Sequence, residues 1–79
     1  MNKLQEPGVL KWERVIHKSA DTADGSTVGY IAADDDESII VLASGFREYN
    51  IPKSRVRSFD GSKVTLDFPW KELEQDRIA

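Results

Sequence analysis

The side chains best equipped for chemistry in this 79-residue chain are few and scattered. His17 is the single histidine and cysteine is absent, so no His–Cys metal set and no thiolate nucleophile can be assembled. Beside Lys18, a lone histidine reads as an exposed or half-packed residue rather than as the centre of a Ser-His-Asp relay. The densest run of carboxylates is Asp34-Asp35-Asp36-Glu37. Calcium loops alternate their ligands along the chain so that the oxygens converge. Four consecutive carboxylates fan outward instead, and the run reads as a solvated connector. Asp21 and Asp24 bracket a turn and are assigned to capping or turn bonding. The glycines at 25, 29, 45 and 61 are too dispersed for a phosphate-cradling loop. With no acid–base pair in view, the expectation is a non-enzymatic chain with no cofactor, no metal and no small-molecule substrate.

What remains is basic and aromatic. Phe46, Arg47, Tyr49, Lys53, Arg55, Arg57 and Phe59 interleave, and residues 47–63 carry a net charge of +3. The flanking stretches carry −4 (residues 1–46) and −2 (residues 64–79), for −3 overall. A nucleic-acid binder shows a basic excess across the whole domain, because each neutralised phosphate contributes through counterion release. The balance here favours a protein partner. The expected partner-binding residues are Arg47, Lys53, Arg55 and Arg57, together with an exposed sheet edge open to strand addition. A weak RNA contact or ribosome-associated role through the same strip is the alternative. Alternation sets Tyr49 with Ile51, facing inward, and Phe59 on the side of Arg55 and Arg57, facing outward. One or two exposed aromatics fall short of a base-stacking platform.

The elements that must position this strip are short. A chain of this length supports one domain with a thin core. Residues 1–9, with Pro7-Gly8, read as a flexible arm, and residues 10–79 as the domain. Residues 10–18 alternate loosely as a first strand, with a short helical turn as competitor. Asp24-Gly25 supplies a turn, after which Thr27 to Ala33 resumes as strand, with Val28, Tyr30 and Ala32 on one face. Ser38 to Ala43 is a β-branched run, apolar on both faces, as in a strand covered on each side. Ser44-Gly45 turns the chain into an alternating strand from Phe46 to Ile51, which Pro52 ends by removing a ladder donor. Lys53-Ser54-Arg55 makes one turn before Val56–Phe59. Asp60-Gly61 is the strongest hairpin signal, and Val64, Leu66 and Phe68 follow as the inward set of the cleanest alternation in the chain. From Pro69 the period changes, and 69–78 is expected as a short α-helix docked through Trp70 and Leu73. Five to six short strands with one terminal helix describe a mainly β protein, a small, partly open β-barrel.

The order of these signals resembles a known family. Asp24-Gly25-x-x-Val28-Gly29-x-Ile31, then Tyr49-x-Ile51-Pro52-Lys53-Ser54-x-Val56, then Asp60-Gly61-x-x-Val64-x-Leu66 is similar to the pattern of PRC-barrel domains. That family includes the cytoplasmic part of the photosynthetic reaction-centre H subunit and the C-terminal domain of a ribosome maturation factor. The resemblance spans residues 12 to about 68 and implies a non-enzymatic module that docks on other macromolecules. Physical roles account for the motif residues: Gly25 and Gly61 in turns, Gly29 where a strand bends or meets another backbone, Ile51-Pro52 at a strand end, and Ser54 bonding a backbone N–H in the following turn. A homodimer is a secondary expectation, since a thin core benefits from extra buried area. No apolar run reaches the ~18 residues of a membrane span and no signal-peptide core is present, so a cytoplasmic protein is expected.

Overall fold

The computed structural model describes residues 11–78. The expected arm at 1–9 therefore lies outside the described residues, as does Ala79. Six strands run in chain order as β1 (Ser19–Asp21), β2 (Thr27–Asp34), β3 (Ser38–Ala43), β4 (Arg47–Pro52), β5 (Val56–Phe59) and β6 (Lys63–Leu66). They form one mixed sheet in the order β4-β3-β2-β1-β6-β5. All pairings are antiparallel except β1 with β6, which is parallel. The two outer strands, β4 and β5, are consecutive in the chain and separated only by the turn Lys53–Arg55, so the sheet curls on itself as a half-barrel. This is the mainly β, partly open barrel that the spacing of turns implies.

The core lies inside the curl. Ile31, Val41 and Tyr49 face one another in register across β2, β3 and β4, and all three are buried. Ile39, Ile51, Val64, Leu66 and Phe68 extend this layer, and Leu73 closes one end. The inward set Val64, Leu66 and Phe68 and the inward Tyr49 agree with their alternation. Phe59 differs: it is half-buried and packs against the core instead of standing outward.

Three local readings of the sequence are corrected. Residues 12–15 form a turn of 3₁₀ helix, not a strand, and β1 begins only at Ser19. Trp12, Val15 and Ile16, spaced as on one side of a helical turn, all pack on the core. The chain then reverses at His17, which has φ +71° and donates its N–H to the Ile31 carbonyl at 2.6 Å. In β2 the two-residue period is broken. Ala20 pairs with Gly29 and Asp21 with Thr27, which leaves Val28 as a bulge. Val28 and Ile31, three apart, both face the core, while Tyr30 is turned to the outer face, 48% exposed. The C-terminal segment is a 3₁₀ helix over Trp70–Asp76, not an α-helix. Its bonds run from i+3 to i, as from the Glu72 N–H to the Pro69 carbonyl at 3.0 Å. So short a segment lacks the length to hold an α-helix by itself, and Leu73 anchors it while Trp70 stays 39% exposed.

Gly29 is the tightest point of the sheet. A Cβ built there meets the Leu42 carbonyl oxygen at 1.9 Å, so only glycine lets the bulged β2 backbone approach β3 this closely. Gly25 and Gly61 have φ of +90° and +99° in their turns, as the Asp-Gly pairs require. The turn after Pro52 is closed by the Val56 N–H on the Lys53 carbonyl, and Ser54 takes no part through its side chain.

Candidate docking surface

Both free edges of the sheet are blunted. Along β4 the chain's own C-terminal segment adds a bridge, Tyr49 to Arg77, with the Ile78 N–H donating to the Glu48 carbonyl at 2.8 Å. On the far side, β5 is short, and its ladder skips Arg57, because Val56 pairs with Leu66 and Ser58 with Thr65. A charged bulge on a four-residue strand discourages further pairing.

The four basic residues are dispersed along this frame. Lys53, at the β4 end, pairs with Asp34 (Nζ to Oδ2, 3.0 Å) and lies 4.8 Å from the centre of the Trp12 ring. Arg55 donates to Asp67 (Nε to Oδ1, 3.1 Å) and to Glu72 (Nη2 to Oε1, 3.2 Å), with its guanidinium 4.4 Å over the Phe68 ring. These two cations tie the β4–β5 turn to the end of β2 at Asp34, to Asp67 just after β6 and to the C-terminal helix at Glu72. Arg47 stands apart, its Nε donating to the Ser44 carbonyl at 3.0 Å. Arg57 is exposed.

The carboxylates are mostly absorbed by turns. Asp35 Oδ1 accepts the N–H groups of Glu37 and Ser38 at 2.9 and 2.8 Å and the Ser38 hydroxyl at 3.1 Å. Asp60 Oδ1 likewise accepts the N–H groups of Ser62 and Lys63, both at 2.9 Å. Asp24 accepts the Thr22 hydroxyl and, across the fold, the Trp70 N–H at 3.3 Å. Hydrogen bonds to the ionised form hold all three carboxyls below the ordinary range, led by Thr22 for Asp24, the Glu37 N–H for Asp35 and the Ser62 N–H for Asp60. Asp76 moves the other way. Burial raises it, nearby Arg55 opposes the rise, and its Oδ2 is buried without a partner.

A pH dependence follows with a definite sign. A depressed carboxyl stabilises the fold above its unfolded value, and that contribution is lost as pH falls through the folded value. The raised Asp76 acts oppositely, its protonation relieving an unfavourable buried charge. With three depressed groups against one raised, the urea midpoint should hold steady from about pH 7 to about pH 4 and decline below that. A midpoint that stays flat or rises as the pH is taken well below the ordinary carboxylate range contradicts these assignments.

The most exposed large apolar side chain among the described residues is Phe46, at 97%. It sits in the turn Ser44–Phe46 between β3 and β4, with φ +62°, directly after Gly45 at φ +76°. Positive φ suits glycine or asparagine, and for a bulky residue it is a rare conformation that costs about 1–2 kcal/mol. Behind the ring, directly opposed residues of three strands share the outer face, Tyr30 beside Leu42 and Leu42 beside Glu48. Together with Ala43, Phe46 and Arg47 they line a cleft of about 390 Å³. Its lining combines aromatic side chains at Tyr30 and Phe46, aliphatic ones at Leu42 and Ala43, and one charge of each sign at Arg47 and Glu48.

Of the four expected partner-binding residues, only Arg47 belongs to this cleft. Phe46 stands in the interleaved strip but not among those four, and Tyr30 is in neither, although Phe46 shares the outward parity of Glu48 and Asn50, and the glycine beside it marks a turn needing positive φ. Compared with known proteins, the chain matches no family model, no curated protein and no solved structure.

Proposed function

We propose that this chain is a non-enzymatic protein-docking module whose contact surface is the exposed Phe46 and the cleft beside it, lined by Tyr30, Leu42, Arg47 and Glu48. The observation that carries this reading is Phe46 itself. A nearly fully exposed aromatic in a disfavoured backbone conformation contributes little to its own fold. Local strain at an exposed residue is retained where the residue does something else. Exposed aromatics beside an arginine are the side chains that anchor protein contacts. The turn carboxylates point away from catalysis, since their oxygens are held by backbone N–H groups and neighbouring hydroxyls. The resemblance to PRC-barrel domains, whose members dock on other macromolecules, supports the same reading. A cytoplasmic setting is part of the proposal. Among the described residues no helix is long and apolar enough to cross a membrane.

The test is affinity capture from the native cells with wild-type chain and with Phe46→Asn as baits, each with and without nuclease. Docking predicts a retained protein, another or a second copy of this one, that resists nuclease and is lost with Phe46→Asn. Material released by nuclease, and lost with Arg55→Glu combined with Arg57→Glu, assigns the chain to RNA instead. Equal retention by the Phe46→Asn bait removes the proposed surface.

A further inference from the structure

The C-terminal segment Trp70–Ile78 covers the β4 edge but is thinly anchored to the barrel. Leu73 is its one buried residue, while Trp70 is 39% and Ile78 56% exposed. Its other ties are polar: Glu72 with Arg55, the Trp70 N–H with Asp24, and the Ile78 N–H with the Glu48 carbonyl. Water replaces such bonds on opening, so their net contribution is small. The 3₁₀ bonds within the segment have poorer geometry than α-helical ones. One atom opposes closure outright. Asp76 Oδ2 is enclosed without a hydrogen-bond partner, and enclosing a carboxylate oxygen costs its hydration. Burial accordingly raises this carboxyl, with Arg55 offsetting part of the rise.

What the segment covers is a strand edge. The bond from Ile78 shows that the Glu48 carbonyl points away from β3. Backbone groups alternate sides from residue to residue along a strand, so Asn50 presents its N–H and C=O on the same side. Pro52, lacking an N–H, ends the row. Without the segment β4 is an edge to which another strand can pair.

We infer that Trp70–Ile78 is a strap that opens and closes as one unit while the barrel stays folded. Closed, it is an autoinhibitory contact that denies the β4 edge to other strands. The lone apolar anchor at Leu73 holds it and the enclosed Asp76 oxygen works against it, so opening the strap costs far less than unfolding the barrel. The strap is separate from the docking surface proposed above: the cleft is lined from β2, β3, β4 and the turn before β4, and either reading stands if the other falls.

Native-state hydrogen exchange on the full chain, followed by NMR near neutral pH, tests this. The reporters are the N–H groups of Glu72, Arg77 and Ile78, bonded to the carbonyls of Pro69, Glu74 and Glu48. The Ile31 N–H, bonded to the Lys18 carbonyl, reports on the barrel. A strap predicts one shared protection for the three, about tenfold or more below that of Ile31. Asp76→Asn keeps the side chain's shape and helix propensity and removes its charge. It should raise the protection of all three together, by about threefold or more. Leu73→Asp should hold the strap open, so that the three lose protection while Ile31 stays protected. Strap protection equal to that of Ile31 would mean that the segment opens only with the whole domain. Protection falling stepwise from Glu72 to Ile78 would mean simple fraying. Either result overturns the inference, and so does an Asp76→Asn strap no better protected than wild type. A Leu73→Asp chain that unfolds throughout overturns it as well, since an open strap and a folded barrel would then not coexist.

Discussion

Gly29→Ala should be the most damaging single-atom change in the described fold, lowering stability by about 3 kcal/mol or more. The added methyl is built 1.9 Å from the Leu42 carbonyl oxygen and 2.7 Å from its carbon. Both are backbone atoms of β3, so the clash cannot be relieved by a side-chain rotation. Relief requires β2 and β3 to separate, and these strands carry Ile31 and Val41 of the central buried row. A domain of this size has total stability toward the lower end of roughly 5–15 kcal/mol. Urea denaturation followed by tryptophan fluorescence should therefore show a greatly reduced midpoint or a chain already unfolded in buffer. Gly25→Ala is the informative control, because φ +90° strains it but no atom lies within 4 Å of the new methyl. A Gly29→Ala midpoint equal to that of Gly25→Ala would show that β2 and β3 do not approach as described.

Phe46→Asn is expected to weaken association about thirtyfold or more. An aromatic anchor at the centre of a small contact carries a disproportionate share of the binding free energy, and its removal costs about 2 kcal/mol or more. Asparagine keeps the turn, since it tolerates positive φ and bonds its own backbone. The flanking Arg47–Ser44 hydrogen bond is left in place. Affinity capture from the native cells with the variant beside wild type, read as the amount of protein retained over a dilution series of bait, shows the change directly. A variant that associates as tightly as wild type would place the contact elsewhere on the molecule.

Much of the architecture is legible in the residues because short-range physics dictates it. Asp24-Gly25 and Asp60-Gly61 announce their turns, Pro52 ends its strand, and Val64, Leu66 and Phe68 alternate without interruption into the core. The errors arise where a long-range contact overrides a local pattern. Trp12 and Ile16 fit a loose alternation, while Trp12, Val15 and Ile16 fit a helical turn, and only the core surface they meet decides between the two. The bulge at Val28 depends on the register with β1, which no local pattern in β2 reveals. The C-terminal segment keeps a helical period in sequence but is pinned by a single buried Leu73, enough for a 3₁₀ turn.

The surface was harder to read for a related reason. Lys53 and Arg55 look alike in sequence to Arg57, yet their carboxylate partners lie 19, 12 and 17 residues away, supplied by Asp34, Asp67 and Glu72. Charge counting along the chain cannot distinguish a cation that binds a partner from one that staples its own fold. The cleft draws Tyr30 from β2, Leu42 from β3 and Glu48 from β4, so it exists only once those strands are in register.

Phe46, on this reading, is held outward for contact and does nothing for its own domain. The most direct measurement is the urea midpoint of Phe46→Asn beside wild type, at a concentration dilute enough for both to be monomeric, so that association adds no stability to either. Relief of the positive-φ strain predicts an unchanged midpoint or a gain of about 0.5–1 kcal/mol. A loss of about 1 kcal/mol or more would mean that the ring is packed within its own fold, contradicting the docking surface.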